Sequence, residues 1–224
     1  MRDMTAEPVR LDRRHRRRLE TIEEIVDVAV EVMMEQGVGG LSLGEVARRM
    51  GMRTPSLYVY FDSKHAVYDA VFARGWRAIL GVMEPEYAAV DEATDLRAYF
   101  LATNQLFLRW MVEHPIHAQL TSWRPVPGYE PSAEAYAPAV EVLAAGTRLF
   151  VRLQQRGLFR ADLDVDLVLR TWTSLMSGVM TQQLANAPDE SYDEGRFTSA
   201  FPELTAMFLN HYGPPRGSQP RGTP

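Results

Sequence analysis

SLGEVARRMGMRTPSLYVYF, residues 42–61, is the stretch on which the fold of this chain turns. Ser42 can cap a helix, with Glu45 three positions later to complete an S-x-x-E capping box. Val46, Ala47 and Met50 recur at helical spacing on a face that can be buried. Gly51 follows, the residue type that leaves a helix through the left-handed region at no steric cost. Thr54 caps a second helix, and Pro55 stands in its first turn, where a missing N–H loses nothing. Two short helices around a glycine turn are the layout of a helix-turn-helix, which points to DNA rather than to a substrate.

The flanks supply what such a pair needs to bury its apolar face. Upstream, Thr21 to Gln36 carries Ile22, Ile25, Val26, Ala29, Val30 and Met33 as a helical stripe ending at Gly37. Downstream, Ser63 can cap a further helix beginning at Lys64. Leu57 and Phe61 fall on the core side of the second short helix. Arg53, Thr54, Pro55, Ser56, Tyr58, Val59 and Tyr60 are left for the groove side or the adjoining turn. Thr54 and Ser56 can bond a base edge or a phosphate, and Pro55 or Val59 can touch a thymine methyl.

Residues 21–77 resemble the DNA-binding domain of the TetR family of bacterial transcriptional regulators. The resemblance is carried by AVEVMMEQGVGGLSLGEVARRMGM and by TPSLYVYFDSKHAVYDAV, whose L-Y-x-Y-F-x-S-K segment is the more specific. It implies an all-α fold: an N-terminal three-helix DNA-binding domain with a helix-turn-helix, and a larger C-terminal helical domain for ligand binding and dimerisation. It also implies that Tyr58, Tyr60 and Lys64 hold the phosphate backbone. Ser42, Arg53, Thr54, Pro55, Ser56, Tyr58, Val59, Tyr60 and Lys64 are therefore the candidate DNA-binding set. Gly44 stands where the family often has a polar or basic residue and Val59 where it often has a polar or aromatic one, so the operator is not inherited from relatives.

Charge is distributed as this division requires. The chain carries a net −5, yet residues 1–77 hold 13 basic and 12 acidic side chains and residues 78–224 hold 11 and 17. Seven arginines lie within residues 1–18, five of them between Arg13 and Arg18. This segment reads as a flexible basic arm that can track phosphates or enter a minor groove. Residues 19–78 read as the DNA-binding domain, 79–212 as the ligand-binding and dimerisation domain, and 213–224 as a disordered tail rich in Pro, Gly and Arg.

The larger domain reads as helices only. A pattern from Lys64 is expected to break at Glu84-Pro85. Others span Asp95–Glu113 and Ala133–Arg156, a further one starts at Asp164 or Asp166 and runs to about Asn186, and a last one opens near Pro202. The resemblance implies a homodimer through Asp166–Asn186 and Phe201–Asn210, where Ser174, Ser177 and Gly178 permit close approach. It also implies an effector pocket. The candidate ligand-binding residues are Phe100, Phe107, Trp110, Met111, Trp123, Tyr136, Phe150, Trp172 and Met176, which together favour a small apolar or aromatic effector. Taken singly, a Met or aromatic side chain at helical spacing is more often core than pocket.

Cysteine is absent, which excludes disulfides, thiol catalysis and cysteine zinc sites and fits a cytoplasmic protein. No apolar run reaches the length of a membrane span, and no secretory signal opens the chain. No cofactor is expected. His114 and His117 with Glu113 are poor metal ligands, because Pro115 stands between them. Asp162, Asp164 and Asp166 suit helix capping better than catalysis. The expected partner is double-stranded operator DNA, and the expected role is a ligand-responsive repressor on a palindromic site. An activator, or a DNA binder without a ligand, stays open. A helical enzyme is the distant alternative, unsupported by any catalytic motif.

Overall fold

A computed structural model describes residues 13–215, which divide into two units: residues 13–71 with 126–129, and residues 72–125 with 130–215. Among the described residues there are nine α-helices and no strand. The expectations for residues 1–12 and 216–224 lie outside the described residues.

In the first unit, helix α1 runs Arg13–Gln36 and buries Ile25, Val26, Ala29, Val32 and Met33. It begins eight residues before Thr21, so Arg13–Arg18 are helical rather than part of a flexible arm. Arginine is a good helix former, and no Gly or Pro interrupts the run. Gly37, at φ 77°, ends α1 and leads into a 3-10 turn at Val38–Gly40. Helix α2 (Leu43–Arg49) follows, then α3 (Thr54–Leu57) and α4 (Lys64–Ala88). Tyr68, fully buried on α4, donates its hydroxyl to Val38 O at 2.7 Å and so ties α4 to the turn after α1. Tyr129 also joins this unit, with its ring 5.2 Å from Tyr68 and its hydroxyl donating to Asp69 at 2.8 Å.

Gly51 closes α2 as expected. At φ 66° it brings its own N–H to Arg48 O (3.1 Å) and the Met52 N–H to Ala47 O (2.9 Å), the paired bonds of a Schellman end. Ser42 accepts from the Glu45 N–H at 3.4 Å, but only that half of the capping box forms. The Glu45 carboxylate turns instead to Arg48 and Arg49, whose guanidinium groups offer it charge-assisted bonds. Thr54 is the first residue of α3 rather than its cap. Arg53 stands before it in an extended conformation, and no side chain caps the helix.

In the second unit, α4 continues through Pro85 to Ala88. The expected break does not occur. Pro85 lies near the C-terminal end, where its missing N–H removes one bond, while Met83 and Tyr87 hold that turn against apolar neighbours. Helix α5 (Leu96–Glu113) is capped by Asp95, which accepts from Arg97 N and Ala98 N at 3.0 Å. A helix not foreseen, α6 (Pro115–Ser122), opens directly after it. Pro115 both ends one helix and starts the next, because a first-turn position needs no N–H donor. Helix α7 (Ala133–Gln155) ends at Gly157 (φ 85°), and α8 (Val165–Asn186) is capped by Asp164. Helix α9 spans Phe201–Tyr212.

The core of this unit is an aromatic cluster. Phe100 on α5, fully buried, sits 4.7 Å from Trp172 on α8, 5.7 Å from Phe150 on α7 and 6.2 Å from Phe208 on α9, centroid to centroid. Edge-on and offset rings at such distances add to the stabilisation from their buried area.

Candidate nucleic-acid interface and ligand cavity

Leu57 and Phe61 anchor residues 54–61 by burial, and Tyr58 and Val59 between them turn outward. Regular α3 is only four residues long. Beyond it the chain tightens, with Val59 N bonding Ser56 O at 3.3 Å and Tyr60 N bonding Leu57 O at 2.9 Å. Tyr and Val lose side-chain freedom inside a helix, and i to i+3 bonds are the usual way for a helix end to tighten. Tyr58 and Val59 therefore project from a turn, 51% and 65% exposed. Ser42, Arg53, Pro55 and Ser56 are exposed as well, and Thr54, Tyr60 and Lys64 are half-buried.

Lys64 lies in the first turn of α4, where the helix dipole disfavours a cation. Its ammonium donates to Gly39 O at 3.2 Å and lies 5.6 Å above the Tyr68 ring, which offset that cost. Ser63 Oγ accepts from Ala66 N at 3.1 Å and caps the helix as expected.

Arg18 is a functional candidate that sequence reasoning did not single out. Its guanidinium donates to Val59 O at 3.0 Å and lies 5.2 Å from the Tyr60 ring centroid. With Arg13, Arg14 and Arg17 it lines a groove that includes Val59 and Tyr60. The five arginines between Arg13 and Arg18 are the signal, but they do not say that the segment is helical or that one of them reaches the Tyr58–Tyr60 turn. Other arginines are spoken for. Arg49 bridges Glu35 and Glu45, and its bonds with those of Arg48 pull the Glu45 carboxyl down to about 2.

The second unit contains a cavity of about 340 Å³. Phe107, Met111, Tyr136, Phe150, Trp172 and Met176 line it. Three candidates do not. Phe100 is consumed by the aromatic core. Trp110 stacks on His114 at 4.3 Å, and Trp123 donates its indole N–H to Thr181 Oγ1 at 3.2 Å. Trp76 and Tyr87 of α4 and Asn104 of α5 line it instead. His114 Nδ1 lies 2.8 Å from Trp110 O, and no group of three His, Asp or Glu suited to a metal occurs among the described residues. No helix of the described residues is long and apolar enough to cross a membrane. Leu167 on α8 and Met207 on α9 are exposed, at 50% and 59%.

Residues 25–71 match the family model described as bacterial regulatory proteins, tetR family. Over 70 residues the chain is 33% identical to the HTH-type transcriptional regulator AcrR of Shigella flexneri, covering 31% of this chain and 32% of that one. Over 205 residues it is 24% identical to the tetracycline repressor protein class C of Escherichia coli, covering 89% and 85%. The first curated relatives are matched over about a third of their own length or less. The structure of the transcriptional regulator FadR from Bacillus subtilis in complex with stearoyl-CoA shares the fold, with a TM-score of 0.64 at 16% identity, over 84% of this chain and 97% of that one.

Proposed function

We infer that the chain is a member of the TetR family of bacterial regulatory proteins, and from that premise we propose that it is a ligand-responsive repressor of transcription, not an enzyme, acting in the cytoplasm as a homodimer on a palindromic operator. One observation carries the reading: exposed Tyr58 and Val59 stand between buried Leu57 and Phe61, on a segment framed by the Gly51 turn and flanked by arginines. Arg53, Thr54, Pro55, Ser56 and Val59 face base edges. Ser42, Tyr58, Tyr60 and Lys64 hold phosphates, which position without specifying.

A single segment of this length reads few base pairs, and a two-fold dimer on two half-sites is the usual remedy. The exposed sides of α8 and α9, with Leu167, Ser174, Gly178 and Met207, are the surfaces assigned to pairing. A small apolar or aromatic effector in the cavity of the second unit favours a state whose two reading segments no longer fit the half-site spacing. Only a ligand with different affinities for the two states can do this, and a coupling of about 1–3 kcal/mol is typical. Sedimentation of the protein with an operator duplex tests the assembly. Two chains per site are expected, and saturation at one chain per site would refute the dimer.

A further inference from the structure

The cavity in the second unit carries information about its ligand beyond size. None of its lining residues is Asp, Glu, Lys, Arg or His. Its walls are largely apolar, and aromatic rings, Phe107, Phe150 and Trp172 among them, supply flat surfaces within them. A charged group enclosed there would lose its hydration and find no counter-charge, at a cost far above that of burying a neutral group.

Among the polar groups on the wall, Trp76 Nε1 is a buried donor with no partner, and Asn104 on α5 is a primary amide whose orientation is fixed. Trp172 Nε1 can only donate, and it donates to Asn104 Oδ1 at 2.8 Å, which settles which end of the amide is oxygen. Asn104 Nδ2 donates one hydrogen to Phe100 O at 2.7 Å. A primary amide has two N–H groups, so one donor remains on a side chain that lines the cavity. Asn104 is half-buried, and a bound acceptor could take up this second N–H without displacing either existing bond.

We propose that the part of the effector enclosed by this cavity is flat, uncharged and equipped with one hydrogen-bond acceptor, such as a carbonyl, received by the second N–H of Asn104. This rests on the cavity being the effector site and adds the charge and polarity of what it takes.

The test uses the full-length protein and four three-ring probes: xanthone, anthracene, anthracene-9-carboxylate and N-methylacridinium. Binding is read by quenching of tryptophan fluorescence, to which Trp172 contributes. Xanthone is expected to bind most tightly, about fivefold to tenfold better than anthracene, which lacks the acceptor. The carboxylate and the cation are expected to bind at least tenfold more weakly than xanthone. Asn104→Asp keeps an acceptor for Trp172 but replaces the free donor with a carboxylate. It should weaken xanthone and strengthen the cation, reversing their order.

Wild-type binding of either ion as tight as that of xanthone overturns the proposal, and so does an Asn104→Asp variant with the wild-type order. In those cases the cavity remains an effector site of a different kind. Failure of all four probes to bind removes the cavity reading itself, and DNA binding measured on the same sample shows that the loss is confined to ligand recognition.

Discussion

Arg18 reaches across 41 positions of sequence to Val59: its Nη1 donates to the Val59 carbonyl at 3.0 Å while the same guanidinium lies 5.2 Å from the Tyr60 ring. A planar group with several donors can hold a carbonyl and lie near an aromatic ring at once, which an ammonium cannot do as well. The first helix thereby fixes the turn from which Tyr58 and Val59 project.

Arg18→Ala should therefore weaken binding to the best DNA site by about tenfold, the scale of one lost charge-assisted hydrogen bond, with little change in helicity. Arg18→Lys should recover only part of it. Fluorescence anisotropy with circular dichroism decides the matter. Unaltered affinity in Arg18→Ala would mean that the turn holds its shape unaided.

Tyr58→Ala and Lys64→Ala should each lower operator affinity while leaving oligomeric state and thermal stability near wild type. Tyr58 is half in water and packs little core, so its loss should be felt by DNA and not by the fold. Lys64→Ala should also flatten the salt dependence, because each phosphate contact contributes about one unit to the slope. Wild-type affinity in both variants would remove these residues from the interface.

Much of the first unit was legible because each of its signals rests on a local physical requirement. Ser42, Gly51 and Ser63 mark helix ends through their own side-chain or backbone chemistry, and Leu57 and Phe61 declare the inner face by spacing alone. What a pattern of apolar residues does not say is whether its face meets packed atoms or a void. Phe100 and Phe107 lie on the same helix at the spacing of two turns, yet one is core and the other lines the cavity. Trp76, Tyr87 and Asn104 escaped notice as cavity residues because tertiary placement, not periodicity, put them there. Pro115 hid α6 for a related reason, since proline marks the end of one helix and the start of another equally well.

Gly195→Ala should destabilise the second unit. A Cβ at this buried position would stand 2.6 Å from Gln183 Oε1 and closer still to the Thr198 hydroxyl. Both neighbours are committed: Gln183 Oε1 accepts from Phe197 N at 3.1 Å, and Thr198 Oγ1 donates to Tyr192 O at 2.7 Å. Overpacking of this kind costs about 1–3 kcal/mol, which thermal unfolding would show as a melting point several degrees lower. An unchanged melting point would mean that this loop yields without cost.

Glu45 gives the fold a pH dependence of known sign. Hydrogen bonds from Arg48 and then Arg49 lower its carboxyl to about 2. Its contribution is complete above the unfolded carboxyl range near 4.5 and is lost as pH falls from there through about 2. Because the group is exposed, the effect is modest and screened by salt. Glu45→Gln should thus be less stable than wild type at pH 7, with the gap in denaturation midpoint closing as pH is lowered toward 3. A gap independent of pH would assign the loss to packing.

Selection of bound sequences from a random DNA library, run in parallel with the wild-type protein and with Tyr58→Ala, tests most directly whether residues 53–60 read sequence. The wild type should enrich a two-fold symmetric site with half-sites about one helical turn apart, and Tyr58→Ala should bind that same site more weakly. No enrichment by the wild type, with equal binding to every sequence and a steep loss in salt, would contradict a sequence-reading role and leave only attraction to the phosphate backbone.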